Sequence, residues 1–202
     1  MQYVVCLDME GTLTPEMWIA FADAVNIPEL RVTTREEPDY AKLMKRRIAI
    51  MEENGLTLSQ IQDAIATVDP LPGAKEFLDE LRSLTQVVIL SDTFTQFAKP
   101  LMEKMGWPTI FCHELVVDEN DMVTDYKLRL ENQKYVSVKA LRSAGYGIIA
   151  AGDSHNDLNM IREADAGFLL HAPQTIKDAN PDVQAFDDYP ELLAAIKDIL
   201  NA

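Results

Sequence analysis

The first strand of this chain ends in two acidic residues, and this feature constrains the fold more than any other. Residues 4–7 are mostly apolar, Asp8 and Glu10 follow with one residue between them, and Gly11-Thr12 form a turn. A short apolar run closed by a turn is typical of a buried strand in a parallel sheet. Ligands of such sheets bind at the carboxyl ends of the strands. Both acids are therefore expected at a reaction centre, although polar residues that merely end a strand would give the same pattern.

Helical and strand-like segments alternate along most of the chain. The apolar segments expected to be strands are 4–7, 87–90, 109–112, 115–117, 122–126, 148–151 and 166–170. The polar turn at 118–121 predicts a hairpin between its two flanking strands. Strands separated by helices indicate right-handed βαβ units. The predicted fold class is therefore α/β, a Rossmann-like three-layer sandwich with a mainly parallel sheet.

A helical insertion interrupts this alternation after the first strand. The helices expected in it span residues 17–25, 42–53 and 59–68, and Thr57 is placed to cap the third. We expect a small helical cap domain at residues 15–70, and a core domain made of residues 1–14 and 71–202.

Charge and composition limit the partners of the chain. Its 33 acidic residues outnumber 18 lysines and arginines, which gives a formal net charge of −15. Nucleic acids and anionic membrane surfaces require clustered basic residues, so neither is expected as a partner. Two cysteines, Cys6 and Cys112, are too few for a disulfide framework and are predicted to be reduced thiols in the core. We find no secretory leader pattern and no apolar stretch of membrane-spanning length, and expect a cytoplasmic protein.

Polar clusters follow three of the predicted strands. Asp8 and Glu10 end the first, residues 91–93 (Ser-Asp-Thr) follow the second, and residues 152–157 (Gly-Asp-Ser-His-Asn-Asp) follow the strand at 148–151. Lys134 begins the helix ahead of the last cluster. Neighbouring parallel strands would bring these groups to one edge, where carboxylates, a hydroxyl, a lysine and an amide suit phosphoryl transfer. Carboxylate oxygens also suit Mg²⁺.

Each member of this set has an ordinary structural alternative. Ser91 resembles a helix cap, Lys134 a solvated side chain, and residues 152–157 a loop or cap. Only the ordered combination points to a phosphate site.

Four motifs of the chain resemble those of the haloacid dehalogenase (HAD) superfamily of phosphatases, in order and in context. They are Asp8-Met9-Glu10-Gly11-Thr12, Ser91, Lys134 and Gly152-Asp153-Ser154-His155-Asn156-Asp157. The resemblance covers essentially the whole chain. The helical cap between the first two motifs resembles that of the phosphoserine phosphatase branch, and within this branch the chain resembles the bifunctional phosphoserine phosphatase/homoserine phosphotransferase type. It implies a Mg²⁺-dependent enzyme for phosphoserine, with homoserine as a second phosphoryl acceptor.

The resemblance implies a catalytic role for each matched charged residue. Asp8 would be the nucleophile and a metal ligand. Glu10 would donate and accept the proton, with its backbone carbonyl on the metal, and Asp153 would be a further metal ligand. Lys134 would neutralise the phosphate and Asp8, while Asp157 would orient Lys134 or a metal-bound water.

The resemblance also implies how the substrate is held. Ser91 and Asn156 would bind near the phosphate. In the cap, Glu16 would bind the substrate ammonium and Arg47 its carboxylate, for which a planar guanidinium is suited. Because residues 45–47 are all basic, a solvated charged helix face is the alternative for Arg47.

The chain departs from the family pattern at two positions. Glu10 stands where the family usually has Asp, which lengthens the proton donor by about 1.5 Å. Asp92 stands where this branch often has Gly, and it places a negative side chain near a phosphate site; Asp92 and Thr93 are assigned to substrate binding. Two other functions remain open: a HAD phosphatase for another small phosphometabolite, and a non-catalytic HAD-like protein that binds a phosphorylated ligand.

Overall fold

The computed structural model describes residues 1–33, 36–37 and 39–201, which fold around a seven-stranded sheet. The strands are β1 (Tyr3–Leu7), β2 (Gln86–Phe94), β3 (Ile110–Val117), β4 (Val123–Lys127), β5 (Gly147–Gly152), β6 (Ala166–Leu170) and β7 (Gln184–Phe186). Their order is β4-β3-β2-β1-β5-β6-β7, and only the β3–β4 pair is antiparallel. The α/β class with a mainly parallel sheet is confirmed, and so is the predicted hairpin.

The first three α-helices after β1 are α1 (Met17–Val25), α2 (Tyr40–Glu53) and α3 (Leu58–Ala66). We call them the cap helices. Thr57 caps the start of α3, as predicted. Its Oγ1 accepts a hydrogen bond from the backbone N–H of Gln60, and the side-chain Oε1 of Gln60 accepts one from the backbone N–H of Thr57. All three helices fall within residues 15–70, while the exact division into cap and core domains stays a prediction.

The remaining helices cover both faces of the sheet. They are α4 (Ala74–Leu84), α5 (Thr95–Lys104), α6 (Gln133–Ser143), α7 (Leu158–Glu163), α8 (Gln174–Ala179) and α9 (Tyr189–Asn201). Val5 and Leu7 of β1 face a core shared with α4, α5 and α9, whereas Val4 and Cys6 face a core shared with α6, α7 and α8. Successive strand residues point to opposite faces, so a strand covered on both must be apolar throughout.

Helix α3 packs against α1 and α5, and α2 packs against β4. The cap helices therefore lie over the β2–β4 side of the sheet. Among the described residues, no helix combines the length and the apolar character needed to cross a bilayer. Cys6 and Cys112 are both buried and unpaired.

The structure corrects the prediction at residues 109–117. The two strands expected there, 109–112 and 115–117, form the single strand β3, and His113 between them is buried. Side chains of α5 hold this part of β3: Thr95 Oγ1 donates to the His113 carbonyl (2.9 Å), and the Gln96 amide pairs with both backbone groups of Leu115 (2.9 and 3.0 Å). The polar residues 113–114 therefore do not break the strand. Helix α8 and strand β7 were also not predicted.

Candidate active site

The predicted polar clusters meet at one edge of the sheet. Asp8 follows β1, residues 91–93 lie at the end of β2, and Asp153 follows β5, and these three strands are neighbours. Lys134 is the second residue of α6, which packs on β2 and β5. These groups line a cavity of about 750 Å³. On its other side the cavity is lined by Glu16, Trp18, Thr33, Tyr40 and Arg47.

Lys134 forms a buried ion-pair cluster with two carboxylates. Its Nζ lies 2.8 Å from Oδ1 of Asp8 and 2.7 Å from Oδ1 of Asp157. The sequence also allowed Lys134 to be a solvated side chain, but in the structure it is buried. Burial opposes its positive charge, but Asp157 and Asp8 hold the pKa of Lys134 well above its usual value. Burial and the charge of Asp157 raise the pKa of Asp8, and Lys134 opposes this rise.

Asp157 supports the neighbouring loop as well as Lys134. Its Oδ2 accepts hydrogen bonds from the backbone amides of Asp153 (3.1 Å) and Ser154 (3.0 Å) and from the Ser154 hydroxyl (2.9 Å). The segment 152–157 is thus a capped turn, as the structural alternative proposed, and its capping carboxylate also holds Lys134 in place.

The arrangement of acids fits a hard divalent cation. Oxygen atoms of Asp8, Asp153 and Asp157 lie within 4.8 Å of one another. Both oxygens of Asp157 are already engaged, so Asp8 and Asp153 are the better ligands. Gly11 provides the room, since a Cβ at this position would lie 2.5 Å from Oδ2 of Asp153. Carboxylate oxygens with space beside them suit Mg²⁺, which keeps several waters.

Glu10 points toward the cap helices. Its Oε2 accepts a hydrogen bond from the Met17 amide (3.3 Å) at the start of α1, and Glu16 is the N-cap residue of that helix. Burial, joined by the charge of Glu16, raises the pKa of Glu10 to about 8. A carboxyl with this pKa is mostly protonated at neutral pH and can donate a proton.

Arg47 is buried in the cavity wall, whereas Lys45 and Arg46 are exposed. Its guanidinium lies over the Trp18 ring, with 4.0 Å between Cζ and the ring centroid, and Nη2 donates to the Val32 carbonyl (2.9 Å). Burial lowers the pKa of Arg47 to about 10. Its buried Nε has no hydrogen-bond partner among the described residues. These contacts argue against a solvated helix face and leave a donor for a ligand.

Ser91 and Thr93, which both carry hydroxyl groups, are among the residues that line the cavity. Both are buried, and Oγ of Ser91 accepts from the Thr93 amide (3.3 Å). Oγ1 of Thr93 has no partner in the described part of the chain. Helix α5 begins only at Thr95 with Phe94 as its N-cap residue, so Ser91 does not cap it.

Asp92 pairs with groups from three other elements. Its Oδ2 accepts from Nδ2 of Asn156 (3.1 Å), and its Oδ1 accepts from Nε2 of Gln133 (3.3 Å) and lies 3.6 Å from Nε2 of His113. Burial opposes ionisation, but His113, Lys134 and these donors hold the pKa of Asp92 well below its usual value. The extra negative charge is therefore compensated within the protein.

Sequence reasoning missed three residues of this network. Gln133 precedes Lys134, and its amide also donates to the Ser91 carbonyl. Tyr40 lies outside the helix predicted at 42–53, but α2 begins at Tyr40, and the spacing of seven residues places it on the same helix face as Arg47. His113 lay in the predicted break of β3, and no sequence signal pointed to it.

The comparisons with known proteins indicate the same family as the residues of the site. The family model of haloacid dehalogenase-like hydrolases matches residues 5–162. The chain belongs to this family. It is 52% identical over 189 residues to a protein of Pseudomonas syringae pv. tomato named phosphoserine phosphatase, covering 94% of this chain and 80% of that protein. It is 51% identical over 189 residues to the protein of Pseudomonas aeruginosa named phosphoserine phosphatase ThrH, covering 94% and 92%.

The fold of this HAD-like chain is shared with solved phosphoserine phosphatase structures. One, of a phospho-aspartyl intermediate analogue, matches with a TM-score of 0.78 at 19% identity, covering 96% of this chain and 98% of that one. At this identity the likeness shows the fold alone. The resemblance seen in the four motifs is confirmed at the level of the family.

Proposed function

We propose that this chain is a Mg²⁺-dependent phosphoserine phosphatase that works through a phosphorylated Asp8. The observation that supports this most is the buried Asp8–Lys134–Asp157 cluster, which faces Arg47 and Glu16 across one cavity. One side of the cavity suits a phosphate, and the other suits an amino acid. The names of the Pseudomonas relatives agree with this substrate.

The first half of the reaction transfers the phosphoryl group to the protein. A carboxylate oxygen of Asp8 attacks phosphorus, the bond between phosphorus and the serine oxygen breaks, and Glu10 gives its proton to the leaving alkoxide. Lys134 offsets the charge on the phosphate and on Asp8. Mg²⁺ bound by Asp8, Asp153 and the Glu10 carbonyl would supply further positive charge to the phosphate oxygens.

The second half regenerates the carboxylate. Glu10, now ionised, takes a proton from water as the water oxygen attacks phosphorus, and the bond between phosphorus and Asp8 breaks. Inorganic phosphate leaves, and both acids return to their initial states.

Substrate binding is proposed for residues on both sides of the cavity. The hydroxyls of Ser91 and Thr93 donate to phosphate oxygens, as does the second amide hydrogen of Asn156, whose first is bonded to Asp92. Arg47 receives the substrate carboxylate through Nε, and Glu16 receives the ammonium. Asp92 takes part indirectly, by holding Asn156 and Gln133.

We extend the proposal to homoserine as a second acceptor. Homoserine is serine lengthened by one methylene, so the groups that bind serine could also hold it, with its hydroxyl replacing water in the second half. This part is supported by the resemblance to the bifunctional type and by the name ThrH of the Pseudomonas aeruginosa relative. A cytoplasmic location is proposed from the two free buried thiols.

The decisive experiment incubates the protein with phosphoserine and Mg²⁺, with and without homoserine, and assays inorganic phosphate and phosphohomoserine. We expect Mg²⁺-dependent phosphate release, and phosphohomoserine only when homoserine is present. Asp8→Asn should abolish both products while the circular dichroism spectrum is unchanged. Full turnover by that variant would refute the mechanism, and faster hydrolysis of another phosphometabolite in a substrate panel would refute the substrate.

A further inference from the structure

Tyr40 joins the cap helices directly to the strand that carries Ser91. It is the first residue of α2, and its hydroxyl donates a hydrogen bond to the backbone carbonyl of Asp92 (3.2 Å), 52 positions away in the chain. The acceptor is the residue next to Ser91. The hydrogen bond therefore ties the first turn of a cap helix to the proposed phosphate site.

An aromatic cluster fixes the direction of the Tyr40 ring. The ring packs edge-on against His113 of β3 and Tyr126 of β4, with centroid distances of 6.4 and 5.8 Å. Phe94 at the end of β2 contacts both of these partners at 6.2 Å. Edge-on packing is the favoured arrangement of aromatic rings, so the cluster presents the hydroxyl to the carbonyl in one orientation.

The residue that accepts this hydrogen bond is itself anchored. Asn156 and Gln133 donate to its carboxylate, and the backbone amide of Arg129 donates to Nδ1 of His113 (3.0 Å), so the hydrogen of His113 lies on Nε2, which faces Asp92. Asp92 is thus held from β3, α6 and the loop after β5. Tyr40 docks on a fixed point of the core rather than on a loose strand end.

The position of Tyr40 on α2 connects this docking to Arg47. The two residues are seven positions apart, about two turns of one helix face, and both line the cavity. A tilt of the first turn of α2 would therefore displace the Arg47 guanidinium relative to Asp8. Small displacements of binding groups reduce turnover strongly.

We infer that Tyr40 is a positioning residue, which holds Arg47 over the phosphate site by docking α2 on the Asp92 carbonyl. The inference rests on the proposed function only in that Arg47 is taken to bind the substrate carboxylate. Tyr40 acts through α2 and takes no part in the chemistry at phosphorus.

The test compares Tyr40→Phe, which removes only the hydroxyl, with Tyr126→Phe, which removes a hydroxyl from the same cluster that forms no hydrogen bond to a described residue. For Tyr40→Phe we expect KM for phosphoserine to rise roughly three- to tenfold, because one neutral hydrogen bond is lost. Turnover of p-nitrophenyl phosphate, which has neither ammonium nor carboxylate, should change by less than about twofold. Tyr126→Phe should resemble the wild type with both substrates.

A double variant shows whether Tyr40 acts through Arg47. In the Arg47→Ala background, Tyr40→Phe should cause no further rise in KM. The inference would be overturned if Tyr40→Phe impaired the turnover of phosphoserine and of p-nitrophenyl phosphate equally. It would also be overturned if Tyr40→Phe raised KM for phosphoserine further in the Arg47→Ala background.

Hydrogen–deuterium exchange gives a readout that does not depend on the substrate. Amides of residues 40–53 should exchange faster in Tyr40→Phe than in the wild type, whereas residues 74–84 of α4 should be unchanged. Unchanged exchange at 40–53 would overturn the docking role whatever the enzyme acts on. A wild type that hydrolyses p-nitrophenyl phosphate but not phosphoserine would instead refute the proposed function, and the exchange result would still decide on Tyr40.

Discussion

Gly11 lies so close to Asp153 that a single added carbon would collide with its carboxylate: a Cβ on Gly11 would lie 2.5 Å from Oδ2 of Asp153. Gly11 also has a φ of +78°, which favours glycine. The turn after β1 can therefore approach the loop after β5. This approach brings together the carboxylates of Asp8 and Asp153, which we propose as ligands for a cation.

Gly11→Ala is expected to disrupt this approach. Because Asp153 must move to admit the methyl group, we expect weaker Mg²⁺ binding and a loss in kcat/KM of about a hundredfold. Titration calorimetry with Mg²⁺ and steady-state kinetics would measure both.

Gly55→Ala is the matched control for this prediction. Gly55 has a φ of +62°, so alanine meets a similar backbone strain, but no described residue other than its chain neighbours has an atom within 4 Å of the added Cβ. The control should lose some stability and keep its Mg²⁺ affinity. Equal losses of Mg²⁺ affinity in the two variants would show that strain, and not the contact with Asp153, is responsible.

The pH dependence of activity should follow Glu10. Its pKa of about 8 keeps it protonated at neutral pH, so kcat/KM for phosphoserine should fall as the pH rises through about 8. The charge of Glu16 contributes to the raised pKa. Glu16→Gln removes that charge, which makes ionisation of Glu10 easier and should move the alkaline limb to lower pH. Because burial is the larger cause of the raised pKa, Glu16→Gln should lower the pKa of Glu10 only part of the way to its usual value. An alkaline limb that stayed at the same pH, or moved to higher pH, would contradict this account.

Asp157→Asn tests the support of Lys134. Both carboxylate oxygens of Asp157 accept hydrogen bonds, whereas the asparagine side chain has one accepting oxygen and one donating NH₂ group. In the variant, either Lys134 or the backbone N–H groups of Asp153 and Ser154 would therefore face the NH₂ group. Because these groups are buried, we expect the free energy of unfolding to fall by about 3 kcal/mol and kcat to fall as well. Urea unfolding monitored by fluorescence, together with kinetics, would measure the two effects. A variant with wild-type stability and kcat would show that the hydrogen bonds to Asp157 are dispensable.

Sequence reasoning succeeded where the signal is local or depends on strand order. The apolar runs before Asp8 and before the cluster at 152–157 indicated two strands of a parallel sheet, and parallel strands end at the same edge of the sheet whatever the details of packing. The structure adds that these two strands, β1 and β5, are neighbours. The helix at residues 17–25 likewise followed from apolar periodicity.

The rest depended on contacts between distant segments. The hydrogen-bond partners of Asp92 could not be predicted from the adjacent residues, because Gln133 and Asn156 come from other elements. The continuity of β3 through His113 likewise depended on side chains of α5. A polar residue in a strand is exposed or buried according to what packs on it, and that is set by the tertiary fold.

Substitutions at two adjacent arginines, Arg46 and Arg47, test the proposed recognition of the substrate carboxylate. Arg47 is buried beside Trp18, whereas Arg46 is exposed on the same helix. For Arg47→Ala we expect KM for phosphoserine to rise about ten- to a hundredfold, since hydrogen bonds to a charged group are lost. Arg46→Ala removes the same charge from the chain and should leave KM within about twofold, because exposed charges interact weakly. Phosphoethanolamine, which lacks the carboxylate, should be hydrolysed equally well by the wild type and by Arg47→Ala. If Arg47→Ala impaired both substrates equally, the guanidinium would be holding the cap helices in place and would not be binding the carboxylate.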